Sequence, residues 1–247
     1  MWAQLLRFLT LTTLLSGAIA IVPPLNIEKD TKDHFGNPMD AAVRSYSSNL
    51  ALTDPTCMAS FTDDHLIWLA AKGYEDMLAK YKVDYPNEDK VPGAMVVFAP
   101  VGENKVYLGS SVRGVTAAPE KWFVHPVVIS WFQSCEVPHR TCGSCGEFSV
   151  LQSYFDTHET PDCMPPPQSR IVAWVHGRLV APCPDGAEGI GCETLVKDFK
   201  LTAIKPDTPG IKADKKGIAP DGFTFVGAND RNKKEWVTVK KKGKRKC

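Results

Sequence analysis

Apolar and polar positions change period several times along the chain, and each change marks an element. Residues 21–56 are polar, punctuated by "HFGNP" and "TDP", and read as an extension wrapped on the body or partly disordered. In "TDDHLIWLAAKGYEDMLAKY" (62–81), Leu66, Ile67, Leu69, Ala70, Tyr74, Met77 and Leu78 recur at helical spacing. Thr62 supplies an N-cap, with Asp63 and Asp64 in the first turn. Two apolar, β-rich runs follow, "GAMVVFAP" (93–100) and "NKVYLGSSV" (104–112); the short Gly-containing link predicts a hairpin. Residues 115–141 form a long connector holding Trp122, Phe123, Trp131 and Phe132. Aromatic residues at that density usually pack into a core, and a substrate lid is the sharper alternative.

Helical spacing returns in "GEFSVLQSYFDTH" (146–158). Three prolines at 165–167 break the chain before "RIVAWVHG" (170–177), which reads as a buried strand. A glycine-rich loop, "LVAPCPDGAEGIG", leads into a short amphipathic helix, "CETLVKDF" (192–199), and a strand, "KLTAI". Beyond Pro206 the chain is rich in Lys and Gly, with one late strand expected at "WVTV". Helix, hairpin, helix, strand, helix, strand is the order of an α/β layered domain.

Composition changes this picture at the two ends. "MWAQLLRFLTLTTLLSGAIA" has one basic residue, an apolar run and a small-residue end, the layout of a secretory signal peptide over residues 1–20. No later segment reaches about 18 apolar residues, so a secreted, soluble chain with no membrane span is expected after cleavage. Residues 233–247 carry eight basic residues and one acid. The acidic remainder is not a duplex-binding face, although the basic tail offers a contact for nucleic acid. Nothing in the sequence fixes an oligomeric state.

Eight cysteines stand at 57, 135, 142, 145, 163, 183, 192 and 247. Secretion favours disulfides. Cys142-x-x-Cys145 with Cys183 and Cys192 also permits a structural zinc site of four cysteines, which would leave Glu147 unexplained. In the third reading Cys145, Cys183 and Cys192 bind Zn²⁺ and leave one position for water. Cys145 and Cys192 both sit at helix starts, where thiolates are stabilised. Glu147, two residues past a ligand, then serves as a proton shuttle. His139 and His176 lie near the site in sequence, where either could touch substrate or replace a ligand; an ordinary hydrogen-bonded histidine is the commoner case and the preferred reading.

"CGEFSVL", "APCPDGAEGIGCETLVKDF" and the hairpin "GAMVVFAPVGENKVYLGSSV" together resemble the cytidine deaminase superfamily. There a strand hairpin precedes [H/C]-x-E on one helix and P-C-x-x-C on the next. The resemblance covers roughly residues 60–205, about one domain. It implies a three-layer αβα fold with a mixed sheet, and Zn²⁺ held by Cys145, Cys183 and Cys192. Glu147 would move protons during deamination, and the Gly146 backbone would orient the substrate. That substrate would be an amino-substituted base, a nucleoside or a related amidine. Residues 21–59 and 206–247 are then N- and C-terminal extensions, and Cys142 is free to pair, with Cys135 as one partner.

Three departures stand out. Eight residues, not two, separate Cys183 from Cys192, and the six extra, mostly Gly, Asp and Pro, could bulge out without moving the ligands. "SSVRG" (110–114) replaces the ribose-binding Asn-x-Glu, and Glu193 stands where an Arg often offsets the thiolate charge. Arg113 or Arg140 would have to supply that cation. These losses support a second reading, an inactive, disulfide-stabilised secreted interaction protein or effector on a deaminase-like scaffold.

Overall fold

The computed structural model describes residues 25–228, apart from 32–37, 40–41, 55–57, 59, 115–124, 138, 142, 159–163, 188 and 221–222. The signal-peptide segment, the "WVTV" strand, the basic tail and Cys57, Cys142, Cys163 and Cys247 lie outside the described residues.

Among the described residues eight strands make one mixed sheet: β1 Glu28–Lys29, β2 Tyr46–Leu52, β3 Ala94–Ala99, β4 Lys105–Ser110, β5 Arg170–Val175, β6 Arg178–Val180, β7 Thr202–Ile204 and β8 Phe225–Ala228. The spatial order is β1-β2-β4-β3-β5-β6, with β8 against β2. The outer edge of β5 is shared. Ala173–Val175 pair antiparallel with β6, and Arg170–Val172 pair parallel with β7. Every other strand pair is antiparallel. The helices are α1 Asp63–Asp84, α2 Pro126–Ser134, α3 Gly146–Asp156 and α4 Cys192–Asp198.

Period-2 alternation sorts the side chains into two cores. On β3, Met95, Val97 and Ala99 face one core, while Val96 and Phe98 face the other. Strand β5 repeats the pattern, with Val172 and Trp174 opposite Ile171 and Ala173. Helix α1 covers the first face with Leu66, Leu69, Ala70 and Met77. Helices α2, α3 and α4 contribute Trp131, Phe148, Leu151 and Leu195 to the second. The result is the expected three-layer αβα architecture.

Helix α1 starts where Thr62 predicts, but its capping box uses His65 in the place usually taken by Glu. The hairpin forms between β3 and β4, with Val97 opposite Leu108. Strands β1, β2 and β8 come from the two stretches read as extensions and join the same sheet. The connector contains a helix that its aromatic content alone did not suggest. His125 caps α2 by accepting from the Val127 N–H, and Pro126 takes a first-turn position, where no intrahelical donor is lost. Trp131 Nε1 then donates to Asp198 Oδ2 at 2.8 Å and ties α2 to α4. Trp131 and Phe132 pack as core residues; Trp122 and Phe123 lie outside the described residues.

Candidate metal centre

Two helix starts converge at one end of the second core. Cys145 is the N-cap of α3, in extended backbone (φ −73°, ψ 153°). Cys192 opens α4 one residue after the N-cap Gly191. Gly146 can carry no side chain, because a Cβ there would lie 2.5 Å from Val96 Cγ2 and 3.1 Å from the Gly109 carbonyl oxygen. The close seating of α3 on β3 and β4 is thus written into this glycine. Gly146→Ala should cost about 1–3 kcal/mol through overpacking. Urea melts of the variant check this, and an unchanged midpoint would contradict it.

The eight residues between Cys183 and Cys192 fold back on themselves. Gly186 and Gly189 exchange two backbone hydrogen bonds of 3.0 Å. Asp185 Oδ1 accepts from the Gly191 N–H at 2.7 Å, and both its oxygens accept from the Thr194 hydroxyl. Gly191 lies so close to the loop's start that a Cβ would sit 2.1 Å from the Cys183 carbonyl oxygen. The Cys192 N–H donates to Cys183 Sγ at 3.1 Å. The ends of the loop therefore meet; Pro184, Asp185, Gly186 and Ala187 are exposed, while Gly189 and Gly191 are buried and Ile190 packs against the second core.

His139 completes a group of four. Ligand atoms of His139, Cys145, Cys183 and Cys192 all lie within 4.8 Å of one another, a constellation able to hold a metal ion. His139 is buried between Phe148 and Phe132, with Trp131 beyond. Its Nε2 is 3.6 Å from Cys192 Sγ. Burial keeps it below the usual histidine range. An ordinary histidine is the preferred sequence reading here, and the structure instead brings His139 to the cysteines, the alternative that reading leaves open. Fifty-three positions separate it from Cys192, and no spacing signal links them. His176 stands apart, 3.4 Å from the Tyr74 hydroxyl through Nδ1.

Electrostatics favour a cation here. Three adjacent thiols cannot all ionise unaided. Cys183 takes the anion, held well below the usual thiol range by hydrogen bonds from Cys145 and then Cys192. Cys145 is raised mainly by its bond to Cys183, and Cys192 mainly by its bond to Cys145. Metal binding would release the retained protons. Among the described residues no disulfide forms, and Cys145, Cys183 and Cys192 are free thiols. Cys135 is also free and donates from Sγ to the Trp131 carbonyl at 3.2 Å, so the structure does not bear out the expected disulfide pairing.

Glu147 lies in the first turn of α3 and is 6 % exposed. Burial, helped by the Cys183 charge, pushes its carboxyl up to about 7. With Cys145, Gly146 and Cys183 it lines a cavity of about 220 Å³, whose wall includes Val96, Ser111 and Arg113. Arg140 donates instead to the Pro184 carbonyl at 2.9 Å, bracing the cysteine loop.

The raised carboxyl has a consequence for the metal-free protein. A folded-state pKa above the ordinary 4.5 means full stability below that pH and loss as pH climbs through about 7. Metal-free Glu147→Gln should lack this slope, gaining up to about 3 kcal/mol on the native chain between about pH 4.5 and 8. Parallel urea titrations measure the difference, and equal slopes would refute a neutral buried carboxyl.

Comparison with known proteins returns no matching family model, no similar curated protein and no matching solved structure. No helix among the described residues is long and apolar enough to cross a membrane.

Proposed function

We propose that this protein is a secreted zinc-dependent hydrolytic deaminase of the cytidine deaminase-like kind. The observation that carries this reading is the meeting of three thiols and a buried carboxyl, with Cys145, Cys183 and Glu147 lining one cavity. Supporting it, the hairpin, the first cysteine helix and the second follow the family's chain order along the run β4-β3-β5-β7. Three thiolate donors suit a borderline-soft tetrahedral ion, which makes Zn²⁺ the metal.

Cys145, Cys183 and Cys192 would hold the ion. Bound there, zinc lowers the pKa of water toward neutrality and acts as a Lewis acid. Glu147 takes a proton from the attacking water and hands it to a ring nitrogen of an amino-substituted base. Its buried carboxyl near neutrality suits both halves of that transfer. Val96 and Val112 give the cavity apolar walls for a flat ring, and Ser111 and Arg113 offer donors at its side. The cavity volume fits a base or nucleoside better than a folded polymer.

The test is zinc content of the purified protein together with ammonia release from a panel of bases, nucleosides and amidines. Stoichiometric zinc and release from at least one member are expected. A metal-free native protein that releases none would overturn the reading. A second reading, a closed metal site with no reaction, is favoured by the proximity of His139 Nε2 to Cys192 Sγ, since a fourth protein ligand leaves no room for water.

A further inference from the structure

We infer that His139 is a positioning residue and not a metal ligand: its Nε2–H donates to Cys192 Sγ, leaving the fourth coordination position open toward the Glu147 cavity. The inference rests on the three cysteines holding the metal, as proposed above.

The decisive atom is the other ring nitrogen. His139 Nδ1 receives the backbone N–H of Thr141 at 3.3 Å and that of Gly143 at 3.5 Å. Two N–H groups aimed at one nitrogen require a lone pair there. A neutral imidazole with its lone pair on Nδ1 carries its proton on Nε2. Nε2 is then a donor, and the atom it meets is Cys192 Sγ at 3.6 Å. A ligating histidine does the reverse, donating its second ring N–H to a carboxylate, carbonyl or water. The oxygen near Nδ1, Thr141 Oγ1 at 3.2 Å, also lies 2.9 Å from Cys145 Sγ, and its proton would go to that sulfur once a metal makes it a thiolate.

A pattern emerges around the sulfurs. Cys183 receives the Cys192 backbone N–H, and once a metal ionises the other two sulfurs Cys145 would receive the Thr141 hydroxyl and Cys192 the His139 Nε2–H. Each sulfur has its own donor. Three thiolates on a divalent ion leave one surplus negative charge beside Glu147, and such donors disperse it. Here neutral donors do what an arginine after the last cysteine would otherwise do. Direction agrees as well. Cys145, Glu147 and Cys183 line the cavity, but His139 and Cys192 do not. His139 approaches from the side of Phe132 and Phe148 and not from the cavity wall, so a metal held by the three sulfurs would keep its remaining position for the cavity.

The test uses the full zinc-loaded protein. Zinc X-ray absorption should fit three sulfurs and one light atom without imidazole scattering, and ¹⁵N NMR should place the ring proton on Nε2. His139→Phe should still bind one zinc per chain, about 10–100-fold more weakly, and His139→Gln, which restores an N–H donor, should recover much of the loss. Imidazole scattering in the native spectrum that vanishes in His139→Gln would overturn the assignment while leaving the metal site intact. Native protein without zinc would instead overturn the metal reading on which this one rests. The native spectrum decides even where a variant does not fold.

Discussion

Ammonia release falls about 10²–10⁴-fold in Glu147→Gln while zinc content stays at the native level: this is the largest effect expected of a single substitution. The amide is nearly isosteric and fits the same buried position in the first turn of α3, where the side chain is 6 % exposed. It cannot accept and return a proton. Loss of rate with retained metal therefore separates proton transfer from metal binding. Steady-state assays with zinc analysis on the same samples check the prediction. Equal activity of the two proteins would show that Glu147 moves no proton in the rate-limiting step, and joint loss of metal and activity would make it a structural prop.

The second large effect belongs to Cys192. Its sulfur is buried and meets Cys183, Cys145 and His139. Cys192→Ser removes a soft ligand and leaves a hydroxyl that does not ionise at neutral pH. Stoichiometric zinc should be lost. The stability contributed by metal goes with it, about 4 kcal/mol where free zinc exceeds Kd a thousandfold. Melts of native and variant chains, each with and without a chelator, measure this. The native protein should fall toward the variant on chelation, and the variant should not respond. A variant that still holds one tightly bound zinc would show that Cys192 is not a ligand.

Much of the architecture was readable because burial imposes a period. Leu66 through Met77 mark α1, and the alternation on β3 and β4 marks the hairpin. The meeting of Cys145, Cys183 and Cys192 was legible because Cys145 and Cys192 open two helices and Cys183 leads into the second. Strand β2 was not, because "YSSNLAL" buries polar residues. Ser45 and Ser47 donate to the buried Asp30, and Ser48 to the Leu25 carbonyl, contacts that no local pattern announces. Helix α2 was hidden by its nine residues inside an aromatic connector, although Pro126 and the spacing of Val128, Trp131 and Phe132 were a usable signal. His139 was only partly legible, for a different reason. Its placement depends on aromatic packing against Phe148 and on two backbone N–H groups, not on any spacing to the cysteines.

The self-closing loop between Cys183 and Cys192 uncouples ligand spacing along the chain from ligand spacing in space. Asp185, Gly191 and the paired Gly186 and Gly189 hold its neck shut, so the neck and not the loop's length sets how close the two sulfurs lie. Such a loop is an insertion port: its length can change between Gly186 and Gly189 without moving the two cysteines that flank it. A search pattern that fixes the interval between the two cysteines would pass over every chain built this way, whereas one that asks for a closed neck would find them.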